Sequence, residues 1–153
     1  MSEYTDLIKQ IPLDPRPDLP IFSNILELYY SKRGSKILPS WSDFIITDFI
    51  GWHANMALSE KEGGDFRFRI FGTGFADLFG SDFTGKRLCE SMAAGHTEAC
   101  KAHFVNLVQE KHIGWVKGNL PIEGRDFLPF EVIDLPLQDD NGEVTKFLHF
   151  ISV

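Results

Sequence analysis

The sequence predicts an α+β fold built on one antiparallel sheet, and three observations carry that expectation. Residues 65–71, Asp-Phe-Arg-Phe-Arg-Ile-Phe, alternate apolar with charged side chains, the period of a strand with one buried face. They follow the glycine pair Gly63-Gly64, which fits a hairpin turn. The final third, from Trp115 onward, reads as three more strands separated by two turn sequences, while the longest helical pattern lies just before it.

In chain order, residues 1–20 contain Pro12, Pro15, Pro17 and Pro20, too closely spaced for a helix or a central strand. An extended leader lying over the domain is expected there. From Ile21 to Arg33, Ile21, Ile25, Leu28 and Tyr29 recur at helical spacing, and Gly34 is placed to end the helix. Ser40 with Asp43 three residues on forms a capping-box pattern, which predicts a short helix to about Ile50. His53 to Glu60 reads as a strand, Lys61 to Gly64 as a turn, and Asp65 to Gly72 as the partner strand. In that partner Phe66, Phe68 and Ile70 are expected to face the core, with Arg69 pairing with Glu131 or Asp134. Thr73 is the expected N-cap of a short helix that Gly80 closes, bringing Phe75, Leu78 and Phe79 to one sheet face. A further short helical piece is expected near Arg87 to Met92.

Gly95 then opens the longest helix, with His96, Cys100, His103, Phe104, Leu107 and Val108 along one side and Gly114 as its terminator. The last three strands are expected at Trp115 to Ile122, Phe127 to Gln138 and Glu143 to Ser152. The turns between them fall at 123–126 and 139–142. Ile133, Leu135 and Leu137 share one face, and Leu148 and Phe150 lie opposite Phe147, His149 and Ile151. The segment 1–52 is therefore read as an N-terminal leader with helices, and 53–153 as the domain proper, the two forming one unit.

Composition narrows the function. A formal charge of −7 argues against nucleic acid and anionic membrane surfaces as partners. Two cysteines, Cys89 and Cys100, fall short of a disulfide framework and suit a cytoplasmic protein. The polar, acidic N-terminus has no signal-peptide layout, and no apolar run reaches bilayer length.

This order of elements, with residues 38–44 (LPSWSDF), 68–74 (FRIFGTG) and 82–86 (DFTGK), Glu131, residues 135–137 (LPL) and the 140–142 (DNG) turn, resembles the PAS domain. More narrowly, it is similar to bacterial single-domain PAS-like proteins with a helical N-terminal lead. The resemblance covers roughly residues 21–153. It implies a five-stranded antiparallel sheet whose helices close a pocket on one face. It also implies a sensory or signalling role without a built-in effector, exercised through a small molecule, a protein partner or a homodimer. The Ile21 to Arg33 helix is the expected partner contact. The pocket residues would be Phe68, Ile70, Phe75, Leu78, Phe104, Leu107, Trp115, Ile133, Leu135 and His149. Haem or flavin is a conceivable cofactor, since some PAS sensors carry one.

Competing chemistries find less support. Gly72-Thr73-Gly74 after a strand lacks the third glycine of a dinucleotide fingerprint. Gly63-Gly64-Asp65-Phe66 lacks the glutamate and the surrounding domain of a diguanylate cyclase. His96, Cys100 and His103 share one helical stripe and are weak metal or haem candidates, against a structural reading as core filler and rim histidines. No serine stands in a nucleophile elbow and no spacing pairs a histidine with an orienting acid, so no enzyme is expected. A ligand-free interaction module is the alternative to a ligand-binding sensor. A small enzyme on the same fold would need a buried acid or histidine inside the cavity, for which Asp134 and His149 are the candidates.

Overall fold

The structure is a computed structural model that describes residues 5–91, 95–119 and 129–152. Six strands, β1 (Thr5–Ile11), β2 (Met56–Glu62), β3 (Asp65–Phe71), β4 (Ile113–Asn119), β5 (Pro129–Gln138) and β6 (Val144–Ser152), form one sheet in the order β1-β4-β5-β6-β2-β3. Every neighbouring pair is antiparallel. The helices are α1 (Ser23–Arg33), α2 (Thr73–Phe79) and α3 (Thr97–Glu110).

The α+β antiparallel architecture is as the sequence predicts, with one strand more than the expected five. The additional strand is β1, in place of the extended leader. All four prolines of that segment come after residue 11, so none removes a ladder hydrogen bond from Thr5–Ile11, which pairs with β4.

The sheet has two covered faces. On one, Phe104 of α3 packs against Phe147 and Phe66 at ring-centroid distances of 5.1 and 5.5 Å, and Phe75 and Phe79 of α2 pack on Phe71. On the other, Phe49 and Trp52 meet Phe150 at 6.0 and 5.6 Å, and Phe22 meets Trp52. Phe150 follows His149 directly in β6, so strand alternation sends their side chains to opposite faces. Beneath the N-terminal elements lie Ile133, Leu135, Leu137 and Leu148, all nearly inaccessible. The buried Tyr29 hydroxyl of α1 donates to the Pro136 carbonyl at 2.6 Å. Burial holds the Tyr29 phenol well above its ordinary range, so it remains a donor.

Several local expectations are corrected by this packing. The stripe α1 buries is Ile25, Leu26 and Tyr29, continuing from Phe22, while Ile21 is half exposed. That stripe lies on the chain's own sheet and is not left open for a partner. The helix expected to run to Ile50 is two short 3-10 turns, Trp41–Asp43 and Ile46–Phe49. Asp43 accepts from the Ser40 N–H and Asp48 from the Ile45 N–H, both at 2.8 Å, so two successive caps each start their own turn. Residues 53–55 form another 3-10 turn, so β2 begins at Met56 and extends to Glu62. The hairpin turn is thereby the two glycines alone, with Gly63 at φ +62°.

In β3 the alternation slips. Ile70 pairs with Leu58 and Phe68 with Ser59, leaving Arg69 as the extra residue of a bulge. Phe71, not Ile70, therefore joins Phe66 and Phe68 on the α3 side, its ring 4.9 Å from that of Phe68. Arg69 pairs with Glu60 at 2.9 Å, while Glu131 accepts from the Trp115 indole N–H at 3.0 Å. Gly72, not Thr73, is the N-cap of α2. A Cβ at Gly72 or Gly74 would collide with the Ala54 carbonyl, so these glycines serve close backbone approach and no phosphate loop. Gly80 closes α2 at φ +93° as expected.

Residues 88–91 form hydrogen-bonded turns in place of the short helix expected there, and Met92 lies outside the described residues. α3 ends at Lys111, itself left-handed at φ +55°, and Gly114 belongs to β4. The turn expected at 123–126 falls outside the described residues. The cysteines do not remain separate: Cys89 and Cys100 form a disulfide that ties the segment before α3 to its second turn.

Candidate functional site

Among the described residues, the buried polar or charged ones are Ser59, Asp65, His103, Asp134 and His149. Asp65 has a local explanation, since its carboxylate accepts from the backbone N–H groups of Phe66, Cys89 and Glu90. The other four form one chain across the sheet beneath α3.

The chain is built by the ladder. Asp134 of β5 lies directly opposite His149 of β6, and Ser59 of β2 lies opposite Phe147, one step along the same face. His149 Nδ1 donates to Asp134 Oδ1 at 2.7 Å. That tautomer leaves Nε2 as acceptor for the Ser59 hydroxyl, also at 2.7 Å. From above, His103 of α3 places Nε2 3.6 Å from the second Asp134 oxygen. At the other edge of the imidazole, the Gln10 side-chain amide of β1 donates to His103 Nδ1 at 2.9 Å. Five residues from five elements are thus joined: Ser59, His149, Asp134, His103 and Gln10.

Gly114 makes the crossing of α3 over β4 close enough. A Cβ there would stand 2.8 Å from Asp134 Oδ2, 2.8 Å from Leu107 Cδ1 and 3.0 Å from His103 Nε2. Aromatic rings wall the chain: Phe68 and Phe104 lie 5.9 and 6.0 Å from His149, and Phe66, Phe104 and Phe147 pack mutually.

Burial pushes the Asp134 carboxyl upward, but the close approach of His103 and the hydrogen bond from His149 outweigh it, holding it below the usual carboxylate range. The site therefore stores a carboxylate inside an apolar frame. His103 Nε2 is buried without a hydrogen-bond partner. Ser59, His149 and Asp134 have the order of a hydrolytic triad, but Ser59 is fully buried and its hydroxyl is engaged, so no substrate reaches it in this conformation. Chemically, the arrangement offers a carboxylate and two imidazoles between which a proton could be held.

Of the residues expected in one pocket, Phe68, Phe75, Phe104, Leu107 and His149 lie on the α2–α3 side of the sheet. Ile133 and Leu135 lie beneath the N-terminal elements, and Trp115, paired with Ile133, shares that face, where Lys9 sits 5.9 Å above its ring. Ile70 leaves the α3 side through the bulge, and Leu78 is half-buried on α2. The two groups flank opposite faces and line no common cavity. Nor do His96, Cys100 and His103 converge: Cys100 is in the disulfide and His103 faces Asp134. Among the described residues no group of three or more His, Cys, Asp or Glu side chains could hold a metal ion.

No sequence spacing pairs a histidine with an orienting acid, yet the β5–β6 ladder brings His149 onto Asp134. Asp134 and His149 were legible as candidates, being ionisable residues within apolar strands. Ser59, Gln10 and Gly114 were not, because only the register of β2, β1 and β4 brings them in.

The structure is similar to that of the PAS domain from Bordetella pertussis BvgS, with TM-score 0.52 and 18% identity, over 66% of this chain and 76% of that one. It is also similar to an RNA-binding light-oxygen-voltage receptor, with TM-score 0.50 and 12% identity, over 95% of this chain and 38% of that one. Both likenesses concern the fold. No curated protein matches. No helix among the described residues is long and apolar enough to cross a membrane. The family described as PAS domain matches residues 23–152, and the chain belongs to that family, whose members are generally sensory or signalling modules.

Proposed function

We propose that this chain is a sensory signalling module whose input is registered by the buried polar chain beneath α3. Its output leaves through α3 and β1 to a protein partner or a second copy. The observation that carries this reading is the Asp134 carboxylate held between His103 and His149 in an otherwise apolar interior. A purely structural core gains little from a buried ionised group, whose desolvation is costly, so such a group in a fold of this family marks a working site. The chain also touches the elements that would have to move, since His103 belongs to α3 and Gln10 to β1. A small-molecule input would act from the same side, against Phe68, Phe75, Phe104, Leu107 and His149.

Native mass spectrometry of the full chain, with hydrogen exchange on the same sample, tests the reading. The expected result is a bound small molecule or a second protein chain whose presence alters protection in α3 and β1. A bare monomer whose α3 and β1 protection is unchanged by added metabolite extract or by protein concentration would contradict it.

A second reading, a ligand-free interaction module, draws on a different observation. Rings fill the described interior under α2 and α3, while Ile37, Ile45, Ile46 and Ile50 are 57–73% exposed on the N-terminal side. Self-association lost on Ile46→Ser and Ile50→Ser, with no small-molecule adduct, would favour it.

A further inference from the structure

We infer that His103 is a proton-uptake site that couples β1 to α3, with Gln10 as the moving part. This deepens the signalling reading and rests on it for its biological meaning, though the coupling itself is tested separately.

The inference begins with charge. With both imidazoles neutral, the chain carries one net negative charge, on Asp134, in a site where all three groups are at most 8% exposed. One proton from solvent neutralises that charge, and His103 is the imidazole positioned to receive it. His149 has both ring nitrogens engaged by groups that are themselves buried, Asp134 and Ser59, whereas His103 Nδ1 meets the exposed Gln10. Neutral His103 keeps Nε2–H toward Asp134 Oδ2 and uses Nδ1 to accept from the Gln10 amide. The incoming proton must therefore bind Nδ1. The amide N–H of Gln10 can no longer face that atom, and the amide must rotate to present its oxygen. Gln10 is itself exposed, so the rotation meets no core packing.

The groups set around His103 come from four strands and its own helix. β1 offers Gln10, with Lys9 directed over Trp115 on the opposite face; β4 offers Gly114; β5 offers Asp134; β6 offers His149. On α3, the neighbouring Cys100 is committed to the disulfide.

Protonation makes both interactions charge-assisted, the 3.6 Å contact of Nε2–H with Asp134 and the hydrogen bond that Nδ1–H now donates to the Gln10 oxygen. Acid thus tightens β1 onto α3. Backbone hydrogen exchange and side-chain NMR of the full chain, from about pH 8 to about pH 5 where histidine charge ordinarily changes, read this directly. The His103 ring and the Gln10 side-chain amide should titrate together. Exchange of β1 amides, corrected for intrinsic pH dependence, should slow by about two- to tenfold, the worth of one hydrogen bond.

Gln10→Leu should abolish the change in β1 while His103 still titrates. Because Gln10 is exposed, this variant leaves the core intact and serves if His103→Gln fails to fold. A Gln10 amide that ignores pH while His103 titrates, or a His103 ring that does not titrate across this range, overturns the inference. Neither outcome depends on whether a small molecule or protein partner is found.

Discussion

The two faces of the sheet are built on different chemistry. Beneath α1 and the 3-10 turns, Phe22, Ile25, Leu38, Phe49, Ile133, Leu135, Leu137, Leu148 and Phe150 are almost wholly inaccessible and apolar. There the buried Tyr29 hydroxyl is satisfied by a backbone carbonyl. Beneath α3, an equally buried layer contains a serine, two histidines and an aspartate. The first face has what a scaffold requires, area removed from water and no group named there that carries charge. The second keeps groups whose charge must be compensated and whose arrangement changes with a proton. On the proposed reading, one sheet thus separates holding the fold from reading a signal.

The scaffold side is the more sensitive to truncation. Phe150→Ala removes a ring packed between Phe49 and Trp52 and is expected to cost about 3–5 kcal/mol in denaturant unfolding. The coupling of His103 to Gln10 should survive in whatever fraction folds. A loss below about 1 kcal/mol would show that the N-terminal elements are not a true core layer.

Gly114→Ala sharpens the comparison at the site. Its Cβ meets Asp134, Leu107 and His103, so overpacking should destabilise by about 1–3 kcal/mol and push His103 away from Asp134. Gly64→Ala is the control, since a Cβ there meets nothing within 4 Å and should change stability by about 0.5 kcal/mol or less. Equal effects at both glycines would contradict the close crossing of α3 over β4.

The smallest effect lies at the exposed rim. Hydrogen bonds from Arg67, then Arg87, lower the Glu62 carboxyl from 4.5 to about 2. A carboxylate depressed in the fold contributes stability that is fully present above pH 4.5 and fades as the pH falls toward about 2. The unfolding difference between the wild-type chain and Glu62→Gln should therefore shrink across that window. A difference constant with pH would show that the pairing does not persist in solution.

Legibility in the sequence follows the same division. Period-two alternation located β3, β5 and β6, and the order of elements carried the family, because burial on one face imprints on residue type. What remained hidden depended on contacts between distant segments. The Arg69 bulge reverses which of Ile70 and Phe71 faces α3, and no local pattern encodes a slip against β2. β1 was masked by the prolines that follow it. Asp134 and His149 stood out as ionisable residues in apolar strands, but their pairing required the β5–β6 register. Gly114 looked like a helix terminator because a glycine needed for close approach has the same letter as one needed for a left-handed turn.

The most direct measurement is amide hydrogen exchange of the wild-type chain against Asp134→Asn, which preserves shape while removing the buried charge. Loss of protection concentrated in β1 and α3, with α1 and the strand residues beneath it unchanged, is the predicted result. Protection lost evenly over both faces, or lost nowhere, would contradict the division of the sheet into a scaffold and a sensing side.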